Sequence, residues 1–301
     1  MKKHLLATAA AALIVLGFGA QAQNFHILDG PPTAPADPDK EPGWRQHVEH
    51  MKHPVIDIIG PMHKLRHDPH FKLPKGSTGL PPSFPLLSSN WSGYIDVMTA
   101  FHPEPTTQMV FVVPQPNCKP GQPQAMSIWP GYGGYKEMDL LQAGVDILDL
   151  DGSCNFQILA FAEWFPDDPI GFFNVNPNDI VSVILQHIPG TGGEISIVDY
   201  STGDSVTGAI QCNSCGGDPY MSTSVEWIVE APGLPTLPLL NAGTVGVNFA
   251  EQFVDGAFLI RTPLDRPTIN SYEVSMHDAA GQIIASPTLL GPYTFNVQTY
   301  P

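Results

Sequence analysis

Residues 224–232, SVEWIVEAP, decide how the chain is read. Side chains of an extended backbone alternate between two faces. Val225, Trp227 and Val229 therefore share one side, and Glu226, Ile228 and Glu230 the other. The first set suits a core, while the second aims two carboxylates out of an otherwise apolar strand. Working outward, runs of similar length recur between Gly, Pro, Asn and Asp: NWSGYIDVM (90–98), TTQMVFVVP (106–114), LLQAGVDIL (140–148), FQILAFAEWFP (156–166), DIVSVILQHI (179–188), GEISIVDYS (193–201) and SYEVSMHDA (271–279). Almost none has a helical period. Many short strands at even spacing, with turn signals between them, predict an all-β sandwich or barrel.

The same period exposes a pattern on other strands. In LLQAGVDIL, Gln142, Gly144 and Asp146 share a face; in FQILAFAEWFP, Glu163 falls between Phe161 and Phe165. Gly144, directly between Gln142 and Asp146, is expected to leave room for something to approach the sheet. A face carrying amides and carboxylates among aromatics suits a groove that holds a chain by its apolar groups and orients it with polar ones.

The ends of the chain differ from this body. The first 22 residues, with Lys2-Lys3, an apolar run from Leu5 to Phe18 and the small residues Ala20 and Ala22, read as a secretory signal peptide cut after Ala22. The expected location is periplasmic or extracellular. No later apolar run is long enough to span a bilayer, so no membrane association is expected. Residues 23–85 are dense in Pro and His and too poor in apolar residues for a core of their own, which predicts a pro-segment or linker. The main domain is placed at 86–301. From Leu86 onward there are 4 Lys/Arg against 22 Asp/Glu, a formal −18. So acidic a body repels nucleic acid. Four cysteines, Cys118, Cys154, Cys212 and Cys215, fit up to two disulfides in an oxidising compartment, with the pairing open. Cys212 and Cys215 have no second C-x-x-C and no His pair at ligand spacing, so neither metal nor cofactor is expected. There is no G-x-S-x-G, no H-E-x-x-H and no phosphate loop.

Five motifs occur in order: SNWSGY (89–94), a Trp before a Gly-rich turn in IWPGYGG (128–134), LQAGVD (141–146), AEWFP (162–166) and EWIVEAP (226–232). Together they resemble the glutamic peptidases, the eqolisin family, known as secreted acid proteases of fungi. The resemblance implies a β-sandwich of two packed antiparallel sheets, of the concanavalin A-like, lectin-glucanase type, with the site in a concave groove. It puts the family's catalytic Gln on Gln142 and its catalytic Glu on Glu230, with Trp129, Asp146 and Glu163 in support. The amide and the carboxylate are expected to meet across adjoining strands. Phe161 and Phe165 flank the AEW motif, and Glu226 shares the face of Glu230 without an assigned role. The implied reaction is hydrolysis of polypeptide substrates by direct attack of water. A monomer is expected, and the seven histidines of the 23–85 segment, cationic in mild acid beside so acidic a body, predict that it acts as an inhibitor covering the groove. Two departures stand out: Phe161 and Phe165 replace Trp or Tyr, and Gly133-Gly134 replaces an acid. Two rival readings share the architecture. Glu163 and Glu230 could bind or cleave a glycan, a mechanism in which Gln142 has no task; or the groove could be a binding site without chemistry.

Overall fold

The computed structural model describes residues 86–97, 106–135, 139–188, 192–212, 224–233, 237–253, 271–291 and 294–300, and two short strands at 24–27 and 60–61. Every regular element among them is a strand. Numbered along the chain, one layer runs β9 (Ile170–Asn174), β8 (Gln157–Phe165), β7 (Leu140–Asp149), β6 (Gln124–Gly133), β13 (Ser224–Glu230), β4 (Trp91–Val97), β15 (Ser271–His277), each antiparallel to the next. β3 (Leu86–Ser88) lies parallel on β15. From β15 the ladder passes through β16 (Ile283–Gly291) and β17 (Thr294–Thr299) into the second layer, β14 (Thr244–Phe253), β5 (Thr106–Val112), β10 (Ile180–Ile188), β11 (Gly192–Asp199), β12 (Ser205–Gln211). β1 (Asn24–Ile27) pairs with β12, and β2 (Gly60–Pro61) with β9. Residues 1–22, expected as a signal peptide, and the rest of the 23–85 segment lie outside the described residues. The chain is thus all-β, as its alternation predicted, and a sandwich, as the resemblance implied.

The central strand β13 shows why the layers pack. Val225, Trp227 and Val229 join Ile128, Leu141 and Val145 from neighbouring strands and Met109, Phe111, Val183 and Leu185 from the second layer in one buried cluster. Each buried aliphatic side chain of this kind contributes about 1.5–3 kcal/mol. The polar tips of the large aromatics are satisfied inside: Trp227 Nε1 donates to the Gln108 carbonyl at 3.0 Å, and the Tyr132 hydroxyl to the Leu185 carbonyl at 3.3 Å. On the opposite face of the same strand, Ile228 belongs to a second cluster with Trp91, Ile95, Trp129, Leu140, Phe161 and Val274. All seven residues of β13 are buried. Its two apolar sets therefore serve two different cores.

One local expectation is corrected. The stretch after Trp129 is not yet a turn, because β6 runs on through Pro130 to Gly133. The ladder to β7 pairs Ile128 with Val145 and resumes at Gly131 with Gln142. The break falls at Pro130, which has no N–H to give. The turn comes at Gly133 and Gly134, whose φ values of 87° and 79° lie in the left-handed region. That geometry explains why glycine stands where the resemblance expects an acid.

Cys118 and Cys154 form a disulfide with Cα atoms 5.5 Å apart, tying the loop before β6 to the loop before β8. Cys212 is disulfide-bonded too, and Cys215 lies outside the described residues. Cys118, Cys154 and Asp149 come close enough together to hold an ion, but both sulfurs are taken by the disulfide.

Candidate active site

The register of the first layer sets three rows of side chains on the face opposite the interlayer core. In the first, Glu226 of β13 stands opposite Gly131 of β6, Gly131 opposite Gln142 of β7, and Gln142 opposite Glu163 of β8. In the second, Ile228 faces Trp129, and Gly144 faces Phe161. In the third, Glu230 faces Ser127, Ser127 faces Asp146, and Asp146 faces Leu159. Gln142, Asp146, Glu163, Glu226 and Glu230 are all fully buried. Phe161 and Phe165 both pack in the aromatic cluster of this face.

Four of the five polar side chains that the alternation singled out, Gln142, Glu163, Glu230 and Asp146, are held by hydrogen bonds. Gln142 Nε2 donates to Glu163 Oε2 at 2.6 Å, which fixes which end of the amide is which. Trp129 Nε1 donates to Glu230 Oε2 at 2.7 Å. Such a short bond to a carboxylate oxygen is charge-assisted when Glu230 is ionised. The Ser127 hydroxyl donates to Asp146 Oδ1 at 2.5 Å. Gln142 Oε1 is buried with no hydrogen-bond partner among the described residues.

The indole of Trp129 organises the middle of the face. Its nitrogen reaches Glu230 in the third row, while its far edge lies over Gly131 in the first: a Cβ on Gly131 would fall 2.8 Å from Cζ3. Trp91 meets it edge-on, with ring centroids 5.1 Å apart and planes at 79°. Trp91 in turn stands opposite Glu230 on β4. Its position is set by the Ser88 hydroxyl, which accepts from the backbone N–H of Asn90 at 3.2 Å and of Trp91 at 3.0 Å. Packed against the aromatic cluster, Tyr135 and Tyr272 have ring centroids 6.1 Å apart and planes tilted by 34°; burial, then the neighbouring Tyr272, pushes the Tyr135 hydroxyl up to about 12.

Two expectations change. Gly144 leaves room, but for the neighbouring strand and not for a ligand: a Cβ there would meet the Ile128 carbonyl oxygen and lie 2.8 Å from Trp129 Cβ. Gln142 and Glu230 do not sit on adjoining strands, since β6 lies between β7 and β13. Glu226, level with Gln142, and Glu230, level with Asp146, differ by four residues of register. Reasoning from sequence missed Ser127 and Trp91 as parts of the site. Ser127 was findable, because it precedes Trp129 by two and so shares its face.

Similarity to known proteins fits this geometry. A scytalido-glutamic peptidase bound to a peptide-based transition-state analogue is 19% identical, with a TM-score of 0.57 over 70% of this chain and 98% of that one. SCP-B, an eqolisin bound to the tripeptide Ala-Ile-His, is 18% identical, with a TM-score of 0.54 over 70% and 98%. These likenesses establish the shared sandwich. Among curated proteins none matches the chain. The Peptidase A4 family matches residues 89–255, more than half of the chain and every row of the site. The protein belongs to that family, the glutamic peptidases.

Proposed function

We propose that this protein is a secreted, acid-acting endopeptidase in which Glu230 activates a water molecule and Gln142 binds the oxyanion that forms. The observation that carries the reading is the diagonal placement of two separately anchored side chains across Trp129. On an evenly spaced sheet their Cα atoms stand roughly 16 Å apart, and with the Gln142 amide held toward Glu163 a gap stays open between their polar ends. That gap fits a water hydrogen-bonded at one end and a carbonyl oxygen hydrogen-bonded at the other. Glu226, one row level with Gln142 and only roughly 10 Å away between Cα atoms, could touch the amide directly and leave no room for a scissile bond. The spacing thus favours Glu230 over Glu226 as the base.

Glu230, ionised and steadied by the Trp129 N–H, removes a proton from water as the oxygen attacks the peptide carbonyl. The negative charge moves to the carbonyl oxygen, where an N–H of the Gln142 amide stabilises it. Glu230, now protonated, delivers that proton to the leaving nitrogen and is ionised again. No covalent intermediate is needed. Glu163 holds the amide, and the apolar strip of Trp129, Ile228 and Phe161 keeps the site dry, which strengthens both interactions. Glu163, Glu226 and Glu230 on one buried face repel one another when ionised, and acid relieves that cost. The same acid relief applies to the body's formal −18. Membership of a peptidase family supports this reading over glycan cleavage, a chemistry in which Gln142 would have no task. The leader at 1–22 supports export, and the segment 23–85 is read as a pro-segment that covers the groove of a monomeric enzyme.

The test is cleavage of denatured protein at acid pH, with polysaccharide as the control substrate. Gln142→Ala should lose roughly 10²–10³ in kcat, and Glu230→Gln should fall to background. Peptide cleavage that survives Glu230→Gln removes the mechanism; if the same preparation loses activity in Glu226→Gln, the base is Glu226.

A further inference from the structure

The third row holds a hydroxyl between two carboxyl groups. Ser127 stands directly opposite Glu230 on one side and directly opposite Asp146 on the other. Directly opposed side chains of an antiparallel pair have Cβ atoms about 4.5–5.5 Å apart, so the hydroxyl is within reach of both. All three residues are fully buried. A serine hydroxyl has one hydrogen and two lone pairs. Here the hydrogen goes to Asp146 Oδ1 at 2.5 Å, so what remains for Glu230 is acceptor capacity alone. Trp129, which can only donate, contacts Glu230 with the opposite capability. Ionised Glu230 is thus served by the indole, and protonated Glu230 by the serine oxygen.

We propose that Ser127, its hydrogen held by Asp146, is a positioning residue that accepts a hydrogen bond from Glu230 once Glu230 has taken a proton from water, and so steadies the protonated carboxyl until that proton passes to the leaving nitrogen. The inference rests on the Gln142–Glu230 reading above. The proton count closes: one proton passes from water to Glu230 and on to the amine, while Ser127 keeps its own hydrogen throughout. The other titratable groups around Glu230 are Glu226 on its own strand, Asp146 on β7 and Glu163 on β8. β4 presents Trp91, Gly93 and Ile95, none of which titrates, and beyond it lies Tyr272 of β15.

The experiment measures kcat and kcat/KM from pH 2 to 7 on a fluorogenic peptide for the wild type, Ser127→Ala, Ser127→Thr, Asp146→Asn and Glu230→Gln, with melting curves alongside. Removing the acceptor in Ser127→Ala should lower kcat about 5–10-fold at unchanged KM. It should also move the acid limb of kcat/KM down by about half to one pH unit, because protonated Glu230 loses its partner. Ser127→Thr, which restores the hydroxyl, should recover both. Asp146→Asn, which leaves the hydroxyl only a neutral and weaker acceptor, should change both in the same direction as the alanine variant but by less. An unshifted acid limb in Ser127→Ala, a shift that Thr does not reverse, or a loss confined to KM overturns the proposal. If Ser127→Ala does not fold, an Asp146→Asn profile superimposable on the wild type overturns it instead. An inactive wild type or an active Glu230→Gln sinks the dyad reading. An active wild type, a dead Glu230→Gln and an unmoved Ser127→Ala sink this inference alone.

Discussion

Away from the candidate site, where β11 ends beside the start of β10, two carboxyl groups meet. Asp199 closes β11 and Asp179 immediately precedes β10. Asp199 Oδ1 accepts from the backbone N–H of Ser201 at 2.8 Å and of Thr202 at 3.3 Å. Its Oδ2 is buried with no donor among the described residues, and its neighbour Asp179 can bond to it only through a shared proton. Burial pushes the Asp199 carboxyl up from 3.8 to about 6, with Asp179 adding to the rise by hydrogen bonding and repulsion and the Ser201 N–H opposing it. A carboxyl raised on folding binds its proton more tightly in the native state than in the unfolded one. Its contribution is therefore fully present below pH 3.8 and is lost as pH climbs through about 6. Two pH units correspond to about 3 kcal/mol; with the exposed 201–203 turn screening the pair, half of that, about 1.5 kcal/mol, is expected.

Asp199→Asn isolates this effect. The amide keeps an oxygen for the two backbone N–H groups, and its Nδ2 donates to Asp179 without needing a proton. The variant should match the wild type near pH 4 and exceed it by about 1.5 kcal/mol at pH 7, a Tm gap of about 3–6 °C for a domain of this size. Thermal unfolding at both pH values and constant ionic strength measures it. The gap between the two proteins is the quantity of interest, because general repulsion in so acidic a body affects both alike. A gap that is the same at pH 4 and pH 7, or a variant less stable than the wild type at pH 7, refutes the reasoning.

Gly144→Ala should lower stability by about 1–3 kcal/mol in urea unfolding and reduce activity with it, because the new methyl group must push the Ile128 carbonyl and Trp129 away from β7; a loss below 0.5 kcal/mol would show that the strands part easily. The isolated 23–85 peptide, with its seven histidines, should inhibit the mature domain best in mild acid, where the histidines are cationic and the groove still anionic, and lose potency toward pH 3. Absence of inhibition anywhere from pH 3 to 7 would make the segment a spacer.

Much of this was legible because β-strands report both faces in their sequence. SVEWIVE separates into two sets by simple alternation, and the structure gives each set its own cluster. β9 and β16 were not legible. IGFFN is short and uninterrupted in its apolar character, while β16 carries Pro287 and the exposed Ile283, Leu289 and Leu290, which blur any period. Register was not legible either. Alternation assigns a face but not a row, so it could not show that Gln142 is level with Glu226 while Glu230 is level with Asp146. Nor could it show which strand fills the space beside Gly144. Those facts depend on how β6 pairs with β13, between residues 93 to 103 positions apart, and with β7 on its other side.

The two glutamates of β13 differ because of what the intervening strand offers at each level. Beside Glu226, β6 has Gly131, with the far edge of an indole laid over it; beside Glu230 it has Ser127. Between them the row of Ile228, Trp129, Gly144 and Phe161 supplies one polar hydrogen, the indole N–H, and that hydrogen is turned toward Glu230. A carboxylate that must cycle between base and acid needs a donor for one state and an acceptor for the other. Glu230 has both within reach on β6, whereas Gly131 gives Glu226 neither from a side chain. Four residues of register on one strand are thus enough to give identical side chains different surroundings.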